Sequence, residues 1–161
     1  MSARVPTLLR GVHVLIVDDE AEGLEVFRRV LEYSGALVTA RSSARAALKA
    51  MERVRPNVVI ENLHTLDAHA FWLIRTIRSL PGGGMPAVAV GESRAAADRR
   101  RTLAEGFQVY LAKPVHAEDL RRAVLAAVKG RGPAGGGDVT ARRGAPGGRR
   151  GRRAPTDRPA S

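Results

Sequence analysis

Short apolar runs rich in branched side chains alternate along this chain with longer stretches in which apolar residues return every three or four positions. The first run, residues 12–17, reads as a strand. Asp18-Asp19-Glu20 closes it with carboxylates suited to cap a following helix. Residues 21–34 set Leu24, Phe27 and Leu31 on one helical stripe, with Glu22, Glu25, Arg28 and Glu32 between them, and Gly35 ends the helix. Residues 36–40 predict a second strand. Ser43 then caps a helix running to about residue 53, with Ala47, Leu48 and Met51 inward. After Pro56, residues 57–62 form a third strand whose apolar centre suits burial on both faces. A loop over 63–69 leads to a helix over 70–79 carrying Phe71, Ile74 and Ile77. A fourth strand is expected at 87–90, a helix at 94–105 ending at Gly106, a fifth strand at 107–111 and a fifth helix at 117–128 with Leu120, Val124 and Val128 facing in.

Strict alternation of strands and helices predicts an α/β fold, a parallel sheet covered by helices on both faces. In such sheets the functional crevice lies beyond the carboxyl ends of the strands, where the strand order reverses. The residues that follow the strands, Asp18, Asp19, Asn62, Gly91 and Lys113, are therefore the chemically informative ones.

Composition adds a boundary. The chain has 161 residues, enough for one domain with a tail, and its net charge is +11. From Lys129 onward there are nine basic and two acidic residues, so most of the excess sits at the end. Nine glycines, four prolines and the pairs Arg142-Arg143, Arg149-Arg150 and Arg152-Arg153 leave little there to bury, and the segment is expected to be disordered. The expected organisation is an N-terminal extension (1–10), a folded domain (11–129) and a basic tail (130–161). With no aromatic among the tail arginines, any contact with nucleic acid would be sequence-blind and salt-sensitive. The tail reads first as a solvated extension, and no DNA-binding output domain is evident. There is no cysteine, which removes disulfides and thiolate metal sites and fits a cytoplasmic setting. No apolar stretch reaches the length of a membrane span.

Val14-Leu-Ile-Val-Asp-Asp-Glu20, Pro56-Asn-Val-Val-Ile-Glu-Asn62 and Tyr110-Leu-Ala-Lys-Pro114 stand in an order and spacing that resemble the receiver domains of two-component response regulators, over about 120 residues. The resemblance implies a bacterial, cytoplasmic, flavodoxin-like (βα)5 domain with strand order 2-1-3-4-5. It implies an acidic pair that binds Mg²⁺, an aspartate ending the third strand that accepts phosphate from a kinase histidine, and a lysine that contacts that phosphate. It also implies a hydroxyl ending the fourth strand, an aromatic on the fifth that follows it inward, and often a cis bond after the lysine. Asp18 and Asp19 match the acidic pair, Lys113 the lysine and Tyr110 the aromatic.

Two positions depart from the pattern. The phosphoacceptor position falls on Asn62 and the hydroxyl position on Gly91. A carboxamide is neutral and forms no stable acyl phosphate. It also removes one anionic ligand, so only weak Mg²⁺ binding at Asp18 and Asp19 is expected. The two carboxylates then serve as helix caps, with Lys113 paired to one of them. Three substitutes within reach are Glu61, one residue earlier; Asp67, in the following loop; and Ser93, for the missing hydroxyl. Alternation along the strand turns Glu61 away from the Asn62 side, Asp67 reads as a solvated loop residue, and Ser93 as the cap of a helix starting at Arg94. His64 and His69 share a loop with Asp67 and read as solvated.

The expected function is a stand-alone, non-enzymatic receiver-like protein that docks a protein partner, a sensor kinase or a downstream signalling protein, without phosphorylation. Its docking face would be the fourth helix, fifth strand and fifth helix, where Arg99–Arg101 and Arg121-Arg122 suit an acidic partner. The alternative is an active phosphorelay receiver using Glu61 or Asp67. A nucleotide-binding enzyme is disfavoured, because no glycine-rich loop follows the first strand and no nucleophile–base pair is evident.

Overall fold

The computed structural model describes residues 7–130. Five strands, β1 (His13–Val17), β2 (Leu37–Arg41), β3 (Val58–Leu63), β4 (Ala87–Gly91) and β5 (Val109–Ala112), alternate with α1 (Ala21–Tyr33), α2 (Ala44–Met51), α3 (Trp72–Ser79), α4 (Ala96–Ala104) and α5 (Ala117–Lys129). All strand pairs are parallel, in the order β2-β1-β3-β4-β5. The order reverses at β1 and β3, so the strand-end crevice of such a sheet falls beside Asp18 and Asn62.

Alternation along the strands divides the core into two layers. Val14, Ile16, Val58, Ile60, Val88 and Val90 pack with Leu31 of α1 and Leu120 and Val124 of α5. Leu15, Val17, Val59, Leu63 and Ala89 face the other way, against Ala47 of α2 and Leu73, Ile74 and Ile77 of α3. Each fully buried Leu, Ile or Val contributes on the order of 1.5–3 kcal/mol of transfer free energy, which is why the apolar runs dictate the sheet.

Three boundaries differ from expectation. Leu9 is fully buried and its N–H donates to the Ser34 carbonyl at 3.0 Å, so residues 7–10 belong to the domain and not to an extension. A single buried leucine gives no periodic signal, which is why sequence pattern overlooks it. Helix α4 starts at Ala96, two residues past Arg94. Ser93 is not its N-cap: its hydroxyl accepts from Ala95 N at 3.2 Å and lies 2.5 Å from Asp98 Oδ2, tying the loop to the helix from outside. Helix α2 stops at Met51, short of residue 53. The basic tail lies outside the described residues from 131 onward. No helix among the described residues is long and apolar enough to cross a membrane.

Candidate functional site

Asp18 leaves β1 with a buried side chain, and both of its oxygens are engaged. Oδ1 accepts from Glu20 N at 2.9 Å, which fixes the carboxylate ahead of α1. Oδ2 accepts from Asn62 Nδ2 at 3.0 Å, joining the ends of β1 and β3. Gly23 makes room for this carboxylate: a Cβ there would lie 2.8 Å from Asp18 Oδ2. The other end of the Asn62 amide, Oδ1, is buried and has no hydrogen-bond partner among the described residues. Asp18, Gly23, Phe27, Asn62, Glu92 and Lys113 line one open cleft of about 420 Å³.

Asp19 is exposed, and its carboxylate is met by His64 Nε2, which also lies 3.7 Å from Asp18 Oδ1. Sequence reasoning grouped His64 with His69 as solvated loop residues. The structure instead sets His64 against the acidic pair, a juxtaposition of the first and third strand ends that single-chain spacing does not reveal.

Lys113 follows β5 and precedes Pro114 through a cis peptide bond. Its N–H donates to the Gly91 carbonyl at 2.9 Å. The expected pairing of Lys113 with Asp18 or Asp19 does not occur. Its Nζ lies 3.4 Å from Glu92 Oε1, while Asp18 is already satisfied by Asn62 and Glu20.

Beside Lys113, Gly91 and Tyr110 are coupled by space. The buried Tyr110 hydroxyl donates to the Ser93 carbonyl at 2.7 Å, and a Cβ on Gly91 would sit 2.7 Å from that oxygen. Burial and the nearby Asp98 push the phenol upward, so it remains a donor at neutral pH. Tyr110 thus occupies the volume that a side chain at position 91 would need.

Neither alternative carboxylate lines the cleft. Glu61 pairs in register with Val17 and Ala89 and is buried. Desolvation raises its pKa to about 8. Asp67 caps its own turn, accepting from His69 N at 2.9 Å and Ala70 N at 3.0 Å. The Ala70 N–H, followed by that of His69, holds its carboxyl below the usual range.

The arginines of the expected docking face are less free than the sequence suggests. Arg101 lies 5.5 Å over the Phe71 ring, in the seam with α3, and Arg121 and Arg122 both pair with Glu118. Exposed ion pairs of this kind are weak, so a partner carboxylate could compete for Arg122.

Comparison with known proteins agrees with this architecture. Residues 14–125 match the family described as the response regulator receiver domain. A 14.6 kDa protein encoded beside sodA1 in Leptolyngbya boryana is 35% identical over 117 residues, covering 72% of this chain and 89% of that one. The probable transcriptional regulatory protein TcrX of Mycobacterium tuberculosis is 30% identical over 109 residues, but the match spans only 46% of its length. A response regulator receiver domain protein from Clostridium thermocellum superposes with a TM-score of 0.65 at 26% identity, over 73% of this chain and 94% of that one. The chain belongs to the response-regulator receiver family of two-component signalling.

Receiver domains typically hold Mg²⁺ in an acidic pocket, and the donors present here suit that ion poorly. Mg²⁺ demands an octahedron of hard oxygens. Here an amide N–H faces Asp18 and an imidazole nitrogen faces Asp19.

Proposed function

We propose that this chain is a receiver-fold docking module of two-component signalling that works without accepting a phosphoryl group. The observation that carries the reading is the hydrogen bond from Asn62 Nδ2 to Asp18 Oδ2. An N–H donor stands where phosphoryl transfer needs an anionic nucleophile, and it neutralises nothing on an incoming phosphate. Two further features support the reading. Lys113 is engaged by Glu92 and lies apart from the acidic pair, and Tyr110 already fills the space beside Gly91 that a hydroxyl side chain would occupy. In the family's logic an inward aromatic accompanies the phosphorylated state. Here the inward position needs no phosphate, so the α4–β5–α5 face is held in one conformation and its signal is set by how much protein is present and by its partner.

The partner is a protein, a sensor kinase or a downstream component, met through that face. Arg100 and Arg122 are exposed there and favour an acidic surface. Receiver domains generally act as non-enzymatic modules, and no catalytic role is assigned to any residue.

Incubating the full chain with a small phosphodonor and Mg²⁺, followed by intact mass measurement, tests the reading. No adduct is expected. A labile phosphate adduct overturns it, and mapping that adduct to Glu61 or Asp67 establishes the alternative of a non-standard acceptor.

A further inference from the structure

His64 Nε2 and one oxygen each of Asp18 and Asp19 all lie within 4.8 Å of one another, contributed by the loops that leave β1 and β3. We infer that this cluster binds a divalent transition-metal ion of the zinc class, with His64 Nε2 and the two carboxylates as protein ligands and water completing the shell.

The chemistry of the donors separates this site from one for Mg²⁺. Imidazole nitrogen is a preferred ligand of borderline ions such as Zn²⁺, Co²⁺ and Ni²⁺, and a poor one for Mg²⁺, which keeps oxygen and water. One nitrogen and two carboxylates with an open side match the three-ligand zinc sites that retain water in the fourth position. The electrostatics agree. Two carboxylates offset the charge of a divalent ion, and the competing cation, Lys113, is held by Glu92. Asp18 is anchored by Glu20 N and Asn62 Nδ2, so at least one ligand is positioned in advance.

A second observation is independent of the cluster. Asn62 Oδ1 is buried with no donor, although its own Nδ2 touches Asp18. An orphaned buried carbonyl oxygen carries a desolvation penalty of about 1–3 kcal/mol. A cation beside Asp18, or a water on that cation, supplies the missing partner. A plain His64–Asp19 ion pair leaves that oxygen unsatisfied. It is also solvent-exposed and contributes little by itself. The inference is independent of the docking proposal, since the cluster is the same whether or not the chain takes phosphate.

The test uses the full chain, free of any affinity tag and stripped with chelator. Calorimetric titration with ZnCl₂ and separately with MgCl₂ should give a single zinc site and markedly weaker magnesium binding. Co²⁺ should develop visible d–d absorption. His64→Ala should weaken zinc by at least the roughly tenfold that loss of even an outer-shell partner brings, and leave magnesium unchanged. His69→Ala, on the same loop but outside the cluster, should leave zinc binding as it was. Because the His64 side chain is exposed, its variant should keep the wild-type circular dichroism, and Asp19→Asn repeats the test from the other ligand. Absence of zinc binding, or zinc binding that both His64→Ala and Asp19→Asn leave intact, overturns the inference.

Discussion

Glu61 and Asn62 are neighbours in sequence that meet different environments. Asn62 reaches the cleft, whereas Glu61 is buried at the sheet end with its pKa raised to about 8 from an ordinary 4.5. A carboxyl whose folded pKa lies above its unfolded value leaves the folded chain holding more protons between those values. Stability therefore falls as pH rises from about 4.5 to about 8 and is level beyond, and the full loss is about 5 kcal/mol at most. Glu61→Gln copies the protonated form without the titration. Its urea midpoint should exceed that of the wild type at pH 8, and the difference should vanish toward pH 4.5. A difference independent of pH would show that Glu61 is ionised in the fold. Gly91 and Tyr110 make a second residue-scale prediction. Gly91→Ala should destabilise by about 1–3 kcal/mol through overpacking. In a Tyr110→Phe background, which removes the oxygen that a Cβ would strike, the same change should cost less by at least about 0.5 kcal/mol. Additive effects in a double-mutant cycle would mean that the ring does not occupy that space.

Among the elements, the sequence exposed what depends on period and hid what depends on reach. The stripes of α1 and α5 were legible because burial of Leu31, Leu120 and Val124 repeats at helical spacing. Asp18, Asn62, Lys113 and Tyr110 were legible as strand-end positions, since a parallel sheet brings strand ends together. The engagement of Lys113 with Glu92 and of His64 with Asp19 was not, because each depends on loop paths that carry no periodic signal. Arg78 is the clearest case. In sequence it is one more charged residue on α3. In the fold it is half-buried and donates to the carbonyls of Gly83 at 2.6 Å, Met85 at 2.7 Å and Gly106 at 2.7 Å, clamping the segments before β4 and β5 to α3. Removing it strands several carbonyl oxygens, so Arg78→Ala should cost about 3 kcal/mol in urea unfolding. Arg78→Lys should recover little, because an ammonium cannot span the guanidinium fork. Full recovery by lysine would show that charge, and not geometry, holds the two loops.

For the whole molecule, the decisive balance is the charge gathered at one end of the sheet. Asp18 is buried, and its stability beside Asn62 rests on facing an N–H. Asn62→Asp puts a second carboxylate at that contact, and Coulomb repulsion at such separations in a partly buried site is substantial. With chelator present the variant should therefore melt below the wild type. The same change supplies the third hard anionic oxygen that Mg²⁺ favours. A ligand that binds only the folded state raises its melting temperature in proportion to the logarithm of its excess over Kd. Millimolar Mg²⁺ should consequently restore the variant to or above the wild-type melting temperature while barely moving the wild type. With Gly91→Ser added, the variant should also become labelled by a small phosphodonor. Opposite responses of the two proteins to one ion follow only if residue 62 meets Asp18 as the sheet register places it. A variant as stable as the wild type in chelator and unmoved by Mg²⁺ would mean that the side chain at position 62 lies elsewhere, and the proposed loss of acceptor chemistry would lose its structural basis.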